Sequence, residues 1–221
     1  MQNLRLFFTK TGMTIYISHL DLMRGMTRAV KRANLPMWYT EGFNPHLFMT
    51  FALPLSLGIE SLCESVEMRL TEDMPLDEVK TKLNEALPDG IEITKIAEPI
   101  KKATEIAFSE YKIEFDCKNP EQVCEQFNNV LSSDEILVEK KSKQGRRKVF
   151  KEVNIKENIN SYSLSLKDEK VILTAIISAG QANNINPTLL IAALTKDEKP
   201  EPQLVNIIKT KLFCEDMTEF E

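Results

Sequence analysis

Residues 17–57 of the chain read ISHLDLMRGMTRAVKRANLPMWYTEGFNPHLFMTFALPLSL. This stretch holds a helix signal, a turn-rich loop and an apolar extended segment, in that order. Ser18 precedes apolar residues at helical spacing and Asp21 follows three positions later, which is typical of a helix N-terminus. The helix is predicted to run to about Leu35, because a proline comes next and disfavours helical backbone before it. After the loop we expect a strand at residues 46–53.

Strand and helix signals on both sides of this stretch complete a longer pattern. An apolar run at residues 4–8 predicts a first strand, and alternation at 65–70 predicts a third. A proline at position 75 opens a second amphipathic helix that extends to residue 87. Isoleucines at positions 91, 93 and 96 predict a fourth strand. The resulting order, βαββαβ, is the ferredoxin-like or split-βαβ pattern.

The same order is expected again in the second half of the chain. Strands are predicted at residues 106–115, 135–141, 171–177 and 204–213, and helices at 120–131 and 187–194. The insertion at residues 147–165 has no predicted structure. We therefore predict an α+β fold of two tandem ferredoxin-like (βαββαβ) units with antiparallel sheets, residues 1–100 and 101–221.

Composition narrows the possible functions. The 221 residues are 43% hydrophobic and 28% charged, as in globular proteins. The start lacks a leader pattern and no apolar run is long enough to span a bilayer, so we expect a cytoplasmic protein with no membrane partner. The four cysteines show no CxxC spacing, and we interpret them as small buried thiols. No metal site and no cofactor are therefore predicted.

The net charge of −5 is unevenly distributed. Residues 1–51 carry six cations and two anions, which is 6 − 2 = +4, and residues 140–151 carry seven cations and no anion. Such asymmetry can give an acidic protein a cationic surface. Binding of nucleic acid is therefore compatible with this chain.

The predicted first helix places its charges on one side. At about 100° per residue, its four cations and Asp21 fall within an arc of roughly 100°. One interpretation is an ordinary solvated face. The other is an anion-binding face, favoured because surface helices usually mix charges of both signs.

The loop after this helix adds aromatic and turn residues to the cations. Cations supply phosphate contacts and aromatic rings supply base stacking, the combination used for single-stranded nucleic acid. The lysine-rich segment near residue 145 is either a contact with RNA or a protein partner, or a solvated loop. The predicted RNA-binding residues are Arg24, Arg28, Lys31, Arg32, Trp38, Tyr39, Phe43, Asn44, Lys143, Arg146 and Arg147.

The chain has two histidines, His19 and His46. If both lay near one end of the sheet, beside a cationic surface, they could act as the base and acid of RNA phosphodiester cleavage. We name them as candidate catalytic residues. The alternative is a structural role for each ring.

Several motifs resemble one known family. They are SHLD at residues 18–21, EGFNPH at 41–46 and LGIES at 57–61, with weaker similarity at 145–155 and at Asn186 and Pro187. The chain resembles the radical-SAM-linked protein family, an uncharacterised bacterial domain encoded beside, or fused to, a cobalamin-type radical SAM protein. The resemblance implies a radical SAM protein as partner.

This chain departs from the family pattern at two places. After His46 the family usually has a proline and a basic residue, where this chain has Leu47 and Phe48. The family's later Asp-Ile-Arg-Pro run is replaced by NIKE at residues 154–157. A role that needs a cation after His46, or a carboxylate at position 154, is therefore not carried over.

Three functional classes remain open. The first, which we prefer, is a non-catalytic RNA-binding or substrate-presenting accessory of a radical SAM protein. The second is an RNA-processing or RNA-modifying enzyme that uses His19 and His46. The third is a protein-interaction adaptor that docks through the acidic surface at residues 60–77 and binds no nucleic acid.

Overall fold

The computed structural model describes residues 1–144, 147–180, 183–196 and 202–221, and for 141–144 and 147–149 it describes the backbone alone. The chain forms two compact units. The first is Met1–Ile106 together with Phe220–Glu221, and the second is Ala107–Glu219. The boundary predicted from the sequence, after residue 100, falls a few residues earlier than this division.

The first unit has the strand order that its sequence predicts. Each described pairing is antiparallel, and the strands lie in the order β4-β1-β3-β2, which is that of a ferredoxin-like sheet. A short 3-10 turn, Gly12–Tyr16, precedes the first helix. The elements are β1 (Gln2–Lys10), α1 (His19–Arg32), β2 (Met49–Phe51), β3 (Glu60–Leu70), α2 (Leu76–Ala86) and β4 (Ile91–Ala97).

Two elements of this unit are shorter than predicted. Helix α1 ends at Arg32, because Asn34 adopts a left-handed backbone conformation with φ of 52°. Strand β2 covers three residues instead of eight. The residues before it pair within their own loop, through the bonds from the Thr40 amide to the His46 carbonyl (2.8 Å) and from the Phe48 amide to the Trp38 carbonyl (3.2 Å).

The core of the first unit lies between the sheet and its two helices. Alternate residues of β1 and β3 face the helices, while α1 contributes residues at helical spacing. Complete burial of each large apolar side chain contributes about 1.5–3 kcal/mol. The buried residues of β1, β3 and α1 in this core are Leu4, Leu6, Phe8, Val66, Met68, Leu70, Leu22, Met26 and Val30.

The second unit repeats the strand order with a hairpin inserted. Its strands lie in the order β10-β5-β9-β8, which corresponds position by position to the first unit. The described pairings β5–β9 and β8–β9 are antiparallel. The elements are β5 (Ile106–Asp116), α3 (Pro120–Ser132), β6 (Leu137–Gln144), β7 (Arg147–Asn154), β8 (Ile159–Lys167), β9 (Lys170–Ser178), α4 (Pro187–Thr195) and β10 (Gln203–Cys214).

The role predicted for the strand at residues 135–141 is wrong. That segment is β6, which pairs with β7 in a separate two-stranded hairpin. The second strand of the sheet is β8, within the segment that had no predicted structure. Strand β6 reads LVEKKSKQ and has little apolar surface to bury, whereas β8 alternates Tyr162, Leu164 and Leu166 with polar residues. The predicted α+β class with antiparallel sheet is confirmed.

The described residues contain neither a membrane-spanning helix nor a cluster of metal-binding side chains. Among the residues that the structure describes, no helix is long and apolar enough to cross a membrane. The described part of the chain likewise holds no group of three or more His, Cys, Asp or Glu side chains placed to bind a metal. Of the four cysteines, Cys214 is buried, while Cys63, Cys117 and Cys124 are half-buried rather than buried as the sequence suggested.

Candidate nucleic-acid interface

Helix α1 begins with the cap that the sequence predicts. The Ser18 hydroxyl accepts a hydrogen bond from the Asp21 amide (3.1 Å) and donates one to the Asp21 Oδ2 atom (2.7 Å). This hydroxyl, together with the neighbouring Arg24, holds the pKa of the Asp21 carboxyl below its usual value. The carboxylate stays ionised beside the positive end of the helix dipole, where an anion is favourable.

The four cations of α1 are all exposed, but their contacts differ. Arg24 forms an ion pair with Asp21 at 3.2 Å. The Nη2 atom of Arg32 donates to the Ala86 carbonyl at the end of α2, at 2.6 Å. Arg28 and Lys31 have no hydrogen bond or ion pair with any residue that the structure describes. These two side chains are therefore available to an outside anion.

Trp38 is held in a stack that the sequence did not reveal. Its ring meets the Phe48 ring edge-on, with centroids 5.8 Å apart. The Arg69 guanidinium lies over both rings, 4.7 Å from the Trp38 centroid and 5.0 Å from the Phe48 centroid. Its Nε atom donates to the Asn3 Oδ1 atom at 2.7 Å. Arg69 was missed because its place in the stack depends on the pairing of β3 with the loop.

Strand alternation puts Trp38 on the far side of the sheet from α1. Met37 and Leu47 belong to the core beneath the helices. Trp38 and Phe48, each one position further along, face the other way, with Arg69. The structure therefore separates Trp38 from the basic face of α1, contrary to the expectation that Trp38 and the α1 cations belong to one RNA-binding surface.

The tip of the loop keeps the predicted exposed aromatics. Phe43 is fully exposed and Tyr39 is 46% exposed. Gly42 has φ of +119°, a conformation that favours glycine, as the turn signal indicated. Asn44 is exposed as well. Tyr39 shares the strand parity of Met37 and so lies on the helix side of the sheet.

The two histidines have different surroundings. The His19 ring packs edge-on against Phe51, with centroids 5.2 Å apart. The His46 Nδ1 atom lies 3.0 Å from the Thr40 hydroxyl and 3.2 Å from the Asn44 carbonyl. His46 precedes Phe51 by five residues of extended chain, which corresponds to about 16 Å. Each ring therefore has its own neighbours, Phe51 for His19 and the loop residues Thr40 and Asn44 for His46, and the catalytic pair stays a prediction.

Two cations counted in the charged N-terminal region are buried. Arg5 and Lys10 are each 1% exposed. Arg5 donates to the Glu67 carboxylate at 2.6 Å and to the Lys101 carbonyl, and its guanidinium lies 4.5 Å from the Phe220 ring centroid. Burial lowers the pKa of Lys10, while the Glu64 carboxylate acts in the opposite direction. The surface charge of residues 1–51 is therefore smaller than the sequence count.

The second predicted cationic cluster lies largely outside the described residues. Arg146 is not described. Lys143 and Arg147 lie in the β6–β7 hairpin by their backbone, and their side chains are outside the description. A role for this cluster stays a prediction.

Comparison with known proteins gives a family and a fold. The model of the family DUF2344, described as an uncharacterized protein conserved in bacteria, matches residues 3–187. No curated protein matches the chain significantly. A chain in the crystal structure of a Cbf5-Nop10-Gar1 complex is similar, with a TM-score of 0.52 and 9% sequence identity. The similarity covers 95% of this chain and 48% of that one, and it shows the fold alone.

Proposed function

We propose that this chain, which belongs to the uncharacterized bacterial family DUF2344, binds RNA through the exposed basic face of α1. The observation that carries the proposal is the state of Arg28 and Lys31. Both are exposed, and neither has a partner among the described residues. A phosphate can therefore contact them without first breaking an internal ion pair.

The charge of the whole face supports this proposal. Arg24, Arg28, Lys31 and Arg32 with Asp21 give 4 − 1 = +3. Asp21 is already engaged by Ser18 and Arg24, so it is not available to neutralise the three remaining cations. Phosphate contacts from such cations provide most of the affinity in sequence-independent binding.

Exposed rings in the following loop supply the second element of RNA recognition. Phe43 and Tyr39 present apolar surface to solvent, and a base stacked on such a ring contributes about 1–3 kcal/mol. Trp38 is left out of the interface, because Arg69 already covers its ring and it lies on the other side of the sheet. We expect Phe43→Ala to weaken RNA binding and Trp38→Phe to leave it nearly unchanged.

The proposal is tested by reversing the two unpaired charges. Arg28→Glu with Lys31→Glu should weaken binding of a single-stranded RNA roughly tenfold or more, because charge-assisted contacts become repulsive. The thermal midpoint should hardly move, since exposed substitutions change stability by about 0.5 kcal/mol or less. A fluorescence-anisotropy titration measures the affinity.

A matched control uses two exposed lysines of the second unit, Lys118 and Lys167. Their double substitution by Glu changes the net charge equally and should leave RNA affinity within about twofold of wild type. If both double variants lose affinity to the same extent, net charge rather than the α1 face governs binding, and the proposal fails.

We further propose that the protein acts as a non-catalytic accessory of a radical SAM protein. This partnership rests on the sequence resemblance carried by residues 18–21 and 41–46. The different surroundings of His19 and His46 favour a non-catalytic role over RNA cleavage. The cytoplasmic location expected from the sequence belongs to this proposal.

A protein-interaction adaptor is the second candidate function, and one surface favours it. Met13, Tyr16, Leu20 and Leu57 are 81%, 67%, 62% and 61% exposed. They lie near one another, because the 3-10 turn leads into α1 and the Gly58 amide bonds the Ile15 carbonyl at 3.0 Å. Exposed apolar patches of this kind are typical of protein interfaces.

The adaptor function predicts a different response to mutation. Tyr16→Glu with Leu20→Glu should abolish co-purification of a co-expressed radical SAM protein encoded beside this chain, while RNA affinity stays close to wild type. Loss of the partner together with no measurable RNA binding by wild-type protein would favour the adaptor. Unchanged co-purification would exclude this surface as the docking site.

A further inference from the structure

The Arg69 side chain is fixed from three directions. The rings of Trp38 and Phe48 lie 4.7 Å and 5.0 Å from the guanidinium carbon, and the Asn3 amide oxygen accepts from Nε at 2.7 Å. Backbone pairing sets this arrangement, because Asn3 is the cross-strand partner of Arg69 and the Trp38 amide donates to the Arg69 carbonyl at 2.9 Å. The guanidinium is therefore held in place before any ligand arrives.

The two terminal nitrogens of the same guanidinium remain available to a ligand. Arginine has five N–H donors, and the bond to Asn3 uses the one on Nε. Neither terminal nitrogen of Arg69 has a hydrogen bond or ion pair with a residue in the described ranges, and the residue is half-buried rather than buried. On the same face, the neighbouring Glu67 carboxylate is bonded to Arg5 at 2.6 Å.

We propose that Arg69 forms a binding site for a phosphate group, with Trp38, Phe48 and Asn3 as its supports. The paired N–H groups of a guanidinium edge match two oxygens of a phosphate and bind them in a bidentate manner. Stacking on both rings restricts the side chain in advance, so less conformational entropy is lost on binding. The site lies on the opposite side of the sheet from α1 and does not depend on the proposed RNA-binding face.

The test uses the single tryptophan of the chain. Because Trp38 is part of the site, its fluorescence reports an anion that binds to Arg69. Inorganic phosphate is titrated into the whole protein at constant ionic strength, with chloride as the balancing salt. We expect a saturable change with phosphate, a weaker response to acetate, which carries a single charge, and no response to chloride alone.

Three variants separate this site from a purely structural stack. Arg69→Gln should abolish the response. Asn3→Asp keeps a partner for Nε but neutralises the cation, so phosphate affinity should fall roughly tenfold while the thermal midpoint is maintained. Lys118→Gln removes an exposed cation of the second unit that belongs to neither proposed site, and should bind phosphate as wild type does.

The outcomes that overturn the proposal are equally specific. They are the absence of a saturable response in wild type, a response that survives in Arg69→Gln, or phosphate binding by Asn3→Asp at wild-type affinity. Because Asn3→Asp retains the stack, it decides the question even if Arg69→Gln does not fold. Loss of RNA binding in α1 variants with phosphate binding intact would show that the two sites are separate.

Discussion

Replacement of the buried Arg5 should destabilise the first unit measurably. Arg5 is 1% exposed, while its partner Glu67 retains 29% of its side-chain exposure. Removal of one member of a fully buried pair costs about 3–5 kcal/mol. Because Glu67 is partly solvated, we expect Arg5→Met to lower the free energy of unfolding by about 2–3 kcal/mol. For a chain of this length that corresponds to a fall of roughly 5–10 °C in the thermal midpoint.

A double-mutant cycle identifies the cause of this loss. Glu67→Gln should also be destabilising, because it leaves the Arg5 guanidinium buried without its counter-charge. The double variant Arg5→Met with Glu67→Gln should lose less stability than the two single variants together. We expect a coupling energy of at least about 1 kcal/mol. Urea unfolding followed by Trp38 fluorescence measures all four proteins, because the single tryptophan lies in this unit.

The result that would refute the reasoning is additivity. If the two single losses sum to the double loss within about 0.5 kcal/mol, the two side chains do not interact in solution. A loss below about 0.5 kcal/mol for Arg5→Met would likewise mean that the guanidinium is solvated.

Gly90 and Ser18 should each contribute to stability, through backbone geometry and helix capping respectively. Gly90 has φ of +90°, and an added Cβ would lie 2.5 Å from the Thr11 carbonyl oxygen. Gly90→Ala should therefore lower the free energy of unfolding, measured by thermal unfolding, by at least about 2 kcal/mol. Gly58→Ala, at φ of +77° in open space, is the matched control and should lose about half as much or less. Ser18→Ala should lower the free energy of unfolding by about 1 kcal/mol at neutral pH, because the helix loses its N-terminal cap. Because the pKa of Asp21 is lowered in the folded state, this carboxylate stabilises the fold above its ordinary pKa, and its stabilisation disappears as pH falls through the lowered value. The difference in the free energy of unfolding between Ser18→Ala and wild type should therefore become smaller at acidic pH.

Much of the fold could be predicted from local sequence patterns. The cap at Ser18 and the alternation of apolar residues in β1 and β3 act over a few residues, so the sequence displays them directly. The position of β8 could not be predicted in this way. Both β6 and β8 are extended, and they differ in the strand that each pairs with, β7 for β6 and β9 for β8, which the pattern within one strand does not specify.

The candidate site was predictable only in part. The cations of α1 and the exposed Phe43 follow from helical spacing and turn residues. The burial of Lys10 could have been predicted from the sequence, because Lys10 follows Leu6 and Phe8 at alternate positions of β1 and so lies on the same buried face. The stack around Arg69 depends on the register between separate segments, which the sequence does not encode locally.

The central claim, that α1 contacts RNA phosphates through Arg28 and Lys31, is tested most directly by salt dependence. The affinity of wild type and of Arg28→Gln with Lys31→Gln for one single-stranded RNA is measured at several salt concentrations. Each phosphate contact contributes about 0.7 to the slope of log affinity against log salt, so the variant's slope should be shallower by about 1.4. Equal slopes for the two proteins, or wild-type binding that does not depend on salt, would contradict the claim.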